Sequence, residues 1–145
     1  MPHVRQQIRE RIGSVLTTAG VASTVSQSRV HPVPPGSTVA LVYTGNEQVS
    51  ATTLTYPRKQ ERSLLVVVEL MTRAVSNLDD ALDDLCVLAE QAIANDQTVN
   101  GLADDIALTQ TTITQTFDGD APIGAAKLEF ICLYRTVENA VSTAV

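Results

Sequence analysis

The chain has 145 residues, enough for one domain and too few for two of ordinary size. Hydrophobic residues make up 44% and charged residues 18%, a globular rather than a disordered balance. The formal net charge of −6 argues against binding to a phosphate backbone, which needs clustered Lys and Arg.

The first predicted element is a helix over residues 3–19. Val4, Ile8, Ile12, Val15, Leu16 and Ala19 recur on one face, and Gly20 is the expected stop. Residues 24–30 alternate as a short strand, and Pro32, Pro34 and Pro35 then forbid regular pairing. Residues 39–43 read as a short apolar strand ended by Thr44-Gly45-Asn46. Residues 47–62 are polar and weakly patterned, and are expected to form a long loop or flexible hairpin.

The strongest strand signal lies over residues 63–72. Leu64 to Val68 is an unbroken apolar run rich in β-branched residues, so both faces need cover and the strand should be central. A second helix follows over residues 77–95, capped by Ser76 or Asn77, with Asp79 and Asp80 in its first turn. Its apolar stripe is Leu78, Ala81, Leu82, Leu85, Ala89, Ala92 and Ile93. A terminal hairpin pairs residues 107–117 with 125–136 across an Asp118-Gly119-Asp120 turn. In its second strand Leu128, Phe130, Cys132 and Tyr134 share one face. Residues 139–145 read as a loose tail. The expected fold is α+β: a single domain with a mixed, largely antiparallel sheet flanked by two main helices.

No residue pattern points to catalysis. His3 and His31 have no Cys or acidic residues at metal-ligand spacing. Asp79, Asp80, Asp83 and Asp84 read as a solvated helix face or, less simply, a metal site. Asp118-Gly119-Asp120 lacks the further ligands and closing Glu of a calcium loop. Cys86 and Cys132 read as buried apolar residues, a disulfide being the alternative. No catalytic residue, metal or cofactor is expected. No apolar run approaches the ~20 residues of a membrane helix, and the polar N-terminus lacks a signal-peptide core, so folding in a cytoplasm is expected.

The ordered motifs carry more. They are Ser28-Arg29-Val30-His31-Pro32, then Val39 through Tyr43 with Thr44-Gly45-Asn46-Glu47, then Arg62 leading into Leu65-Val66-Val67-Val68-Glu69. Leu78-Asp79-Asp80-Ala81-Leu82-Asp83, Gly101-Leu102 and Phe130 through Arg135 follow. Over about residues 3–136 this set resembles the minor tail protein U family, the tail terminators of long-tailed siphophages and gene transfer agents.

The resemblance implies a non-enzymatic virion protein, with six copies forming a ring that caps the tail tube. The implied partners are further copies of itself, the major tail tube protein, the head-tail connector or neck protein, and the tape measure protein. DNA would pass through the lumen without specific binding, and no membrane is involved. Arg58, Lys59 and Arg62 are the candidate protein-interface residues, because they place positive charge on an otherwise acidic chain. The alternatives are another head-tail neck or joining ring, or a small cellular α/β enzyme or ligand-binding domain.

Overall fold

The computed structural model describes the whole chain except residues 1, 29–31, 34–35, 74–75 and 119–120, and the side chains at 117, 118 and 121. Helix α1 spans Val4–Thr18. Val4, Ile8, Ile12 and Leu16, each one turn after the last, are buried on one face, whereas Ala19 stays exposed. Its end follows from Gly20, which adopts φ +66 beyond the C-cap. The Gly20 and Val21 amides then donate to the carbonyls of Thr17 (3.1 Å) and Leu16 (3.2 Å), and the buried Val21 completes a Schellman motif.

Strand β1 is Thr24–Ser26, shorter than its alternation suggests, and residues 29 and 30 of that expected strand lie outside the described residues. Strand β2 is Thr38–Ala51 and β3 is Lys59–Arg73. Of the two readings of residues 47–62, the hairpin is the one the structure contains, and the long loop is corrected. Pairing runs from Glu47 opposite Leu64 to Ala51 opposite Gln60, so only residues 52–58 lie outside the strands. The physical reason is that most side chains at 47–51 are exposed on both faces, which erases the apolar alternation a sequence reading depends on. A register shift between Thr44 and Glu47 further breaks the period.

Helix α2 spans Leu78–Ala94 and buries Leu78, Leu82, Leu85, Cys86, Ala89 and Ile93. Asn77 holds the N-cap position at φ 56 but makes no side-chain cap bond, contrary to the capping expected there. Asp79 and Asp80 in the first turn remain to offset the helix dipole. Strands β4 (Asp105–Asp118) and β5 (Ala121–Val137) form the hairpin. The loose tail expected at 139–145 is also corrected. Strand β6, Ala140–Ala144, folds back on β5, the Val145 amide donates to the Arg135 carbonyl (3.0 Å), and Gln7 Nε2 donates to the Ser142 carbonyl (2.9 Å). Short, small side chains hide such a strand, since its order comes from these tertiary bonds.

The sheet order is β1-β2-β3-β5-β4, with β6 pairing β5 off that path. Among the described residues only β1 and β2 pair in parallel, so the fold is α+β with a mixed, largely antiparallel sheet, as expected. Both helices cover one face, burying Ala40, Val42, Leu64, Val66, Val68, Leu70, Leu128, Phe130, Cys132 and Tyr134 in one core. A smaller cluster of Val33, Val39 and Leu41 lies outside that core. Strand β3 is central, and Val67, opposite Tyr43 and Glu129, is only 2% exposed on the side away from the helices. Val67→Ala is expected to lower the unfolding free energy by about 1–3 kcal/mol in urea titrations.

Candidate functional site

The β2–β3 hairpin joins a rigid base to an exposed tip. At the tip the Thr52 amide donates to the Lys59 carbonyl (2.8 Å), and the Lys59 amide donates to Thr53 Oγ1 (2.9 Å). Between them Leu54 is 92% exposed and Tyr56 74% exposed. The Arg58 guanidinium stacks 4.1 Å from the Tyr56 ring centroid. Arg58 also pairs with Glu138 at 3.5 Å, and their backbones interlock: the Glu138 amide donates to the Arg58 carbonyl (2.9 Å). The tip is thereby tied to the β5–β6 turn.

The three predicted interface residues part company here. Lys59 is exposed, and Arg58 is half-buried and engaged by Glu138. Arg62 is buried within the chain, because its position in β3 points it at the helix-covered face.

At the hairpin base Arg62 Nη1 donates to Glu47 Oε1 at 2.6 Å, Nε to Thr136 Oγ1 at 3.0 Å, and Nη2 to Gln60 Oε1 at 2.8 Å. The Tyr134 hydroxyl donates to Glu47 Oε2, and Arg5 reaches Glu47 Oε1 at 3.3 Å from α1. One carboxylate thus joins β2, β3, β5 and α1. Sequence reasoning named Glu47 in a motif and Tyr134 on an apolar face but did not join them; the sign available was a lone acidic residue just past an apolar strand. Burial, and then the Glu47 contact, push the Tyr134 phenol above its ordinary value. His3 caps α1 by accepting from the Arg5 amide at 3.2 Å, and burial followed by the nearby Arg5 and Arg62 charges lowers its pKa. His31 lies outside the described residues.

Cys86 and Cys132 are free and buried, not bridged, and burial pushes their thiols up to about 11 and about 12. Together with Tyr134 they make stability fall in alkali. Below the ordinary thiol value of 9.0 all three groups are neutral in both states. Above it the unfolded chain ionises while the folded chain resists, so stability drops as pH climbs towards the folded-state values. The urea midpoint should therefore fall from pH 8 to pH 11, with a smaller fall for Tyr134→Phe.

The sheet face away from the helices holds a concavity of about 350 Å³ between β2, β3 and β5, lined among others by Gln48, Ser50, Glu61, Ser63 and Leu133. Asp104 at its rim is held bidentately by Arg135 at 2.9 and 3.0 Å. These groups offer hydrogen bonds and one half-exposed leucine; among the described residues no histidine lines the concavity.

On α2, Asp79, Asp80, Asp83 and Asp84 are exposed, and Asp79 accepts from Gln115 Nε2 at 2.8 Å. Among the described residues no group of three His, Cys, Asp or Glu side chains could hold a metal ion. Asp83→Asn is expected to change stability by no more than about 0.5 kcal/mol, and metal-dependent melting of the wild type would contradict this. The Asp118-Gly119-Asp120 turn lies partly outside the described residues.

No family model matches the chain, and neither does any curated protein. Among solved structures it is similar to a chain of the virion of a native gene transfer agent particle, at 18% identity over 90% of each chain with a TM-score of 0.33. A likeness at that level carries no argument about fold or function.

Proposed function

We propose that this protein is a non-enzymatic structural component of a virion, forming a ring that caps the tail tube of a long-tailed phage or gene transfer agent. The observation that carries this reading is the ordered set of tail-terminator-like motifs over about residues 3–136. In this reading the partners are further copies of the chain, the last ring of tube protein and the head-tail connector.

The mechanism is geometric. A tube grows because each ring has two complementary faces, and head-to-tail stacking has no intrinsic end. A terminator presents one face that fits the tube and one that does not, leaving the second for the connector. The acidic charge keeps unassembled copies apart until specific contacts form, and it does not retain DNA passing through the ring.

The hairpin tip supplies the tube-side contact in this reading. Leu54 and Tyr56 offer apolar area, and Lys59 offers an exposed charge beside them. Lys59→Glu should leave stability within about 0.5 kcal/mol and weaken docking to tail tubes most at low salt, because exposed charges are screened within about 10 Å at 0.1 M. Cosedimentation with purified tubes reads this. Salt-independent, wild-type binding would remove Lys59 from the contact. The ring itself is tested by negative-stain microscopy of the concentrated protein: six-fold rings with a central pore are expected, and a stable dimer at every concentration would refute them.

A further inference from the structure

The sheet ends in two open edges of matching chemistry. Strand β4 is an edge strand of 14 residues that pairs with β5 on one side, and among the described residues nothing pairs with its other side. Residues 106–117 carry no charge and no proline, and Thr109, Thr111, Thr112, Thr114, Thr116 and Ile113 favour extended backbone. Such a strand is a template for another strand, and among the described residues the usual guards of Lys, Pro or a covering loop are missing here. A single bulge between Leu108 and Gln110 guards only its start.

The opposite edge is β2. Strand β1 pairs with it only at Val39, Ala40 and Leu41, and over residues 48–51 no described residue pairs with its outer side. Residues 48–57 are likewise uncharged.

We infer that β4 of one copy pairs with the outer half of β2 of the next copy, joining the sheets edge to edge around the assembly. This rests on the ring reading above and specifies its joints.

Three observations favour a second copy as the occupant. The first is direction. β2, β3, β5 and β4 alternate antiparallel, so β4 runs opposite to β2. Copies related by rotation about an axis inclined to the strands keep that sense and are staggered along them, as this joint requires, because pairing through β3 and β5 sets Gln48 level with Asp105 and Ala40 level with Ile113; the new pair then continues the antiparallel ladder.

The second is apolar exposure. Ile113 and Leu108 pair with Ala126 and Phe130, and Val49 pairs with Arg62, so all three lie on the helix-covered face. They are 47%, 38% and 46% exposed. Edge pairing brings the β4 pair onto the same face as the neighbour's Val49, where cross-strand apolar contacts form.

The third is charge. A chain of net −6 repels its copies, and these two uncharged edges let backbones meet without opposing like charges. Two different edges also make a heterologous contact, the kind that closes into rings.

The test is amide hydrogen exchange on the full chain, dilute and then assembled at high concentration, beside the same assembly assay on Ile113→Lys and on Leu88→Lys. Leu88 is 43% exposed on α2 and belongs to neither edge strand. Assembly should slow exchange at residues 109–116 and 48–51 together. Ile113→Lys should raise the concentration needed for assembly by roughly tenfold or more, while Leu88→Lys should not. Rings whose two edges still exchange freely, or Ile113→Lys rings at the wild-type concentration, overturn the edge pairing and leave the ring reading intact. A wild-type chain that never assembles overturns both.

Discussion

Arg62→Ala is expected to destabilise the fold by about 3–5 kcal/mol, because it leaves a buried carboxylate without its main cationic partner. The Glu47 side chain is 6% exposed, and the Arg62 side chain 10%. With Arg62 gone, Glu47 retains only Tyr134 and the 3.3 Å contact to the half-exposed Arg5. Thr136 Oγ1, on a residue with no exposed surface, loses its guanidinium donor as well. Arg58→Ala is the contrast. Its pair with Glu138 is more exposed, at 37% and 24%, so the loss should be about 1 kcal/mol or less. Urea titrations of the two variants separate the cases. Equal small losses would show that the Glu47 cluster is far better hydrated than its burial indicates.

Leu82→Ala should cost about 2–5 kcal/mol, since Leu82 is 1% exposed where α2 meets the sheet. Its neighbour across the interface is Gly124 of β5. A Cβ added there would lie 2.8 Å from Leu82 Cδ1 and 3.0 Å from Leu78 Cγ. Gly124→Ala alone should therefore cost about 1–3 kcal/mol by overpacking. The two changes should partly compensate, because truncating Leu82 removes the tightest contact of the new methyl while Leu78 still borders it. The double variant is expected to be clearly more stable than the sum of the two losses implies. Strict additivity would mean that α2 shifts as a body instead of packing tightly on residue 124.

What could be read from the sequence was what carries an apolar signal. Ile8 and Leu16 at helical spacing, the run from Leu64 to Val68, and the alternation from Leu128 to Tyr134 all locate buried faces that the structure contains. The turn at Gly20 was legible because positive φ favours one residue type. The outer hairpin was legible only as the alternative to a loop. Val49 and Ser50 are exposed although they are paired, so no alternation distinguishes their strand from a loop. Strand β6 was hidden for a similar reason, its order coming from β5 and from Gln7. Arg62 misled because a basic residue in a polar stretch reads as surface. Its burial depends on Glu47, Thr136 and Gln60, and the first two are brought beside it only by neighbouring strands.

The open edges show the same division. The uncharged run from Ile106 to Phe117 was visible as a half-exposed strand, while its position at the end of the sheet is a property of topology. A sequence reading sees propensity, whereas the liability of an edge depends on which strand lies beside it.

The proposed role in ending tail growth is open to a single measurement: tail lengths, by electron microscopy, in particles assembled without this protein and with it restored. Overlong, headless tails are expected in its absence, and uniform, head-joined tails on restoration. Tails of normal length in its absence would contradict that role.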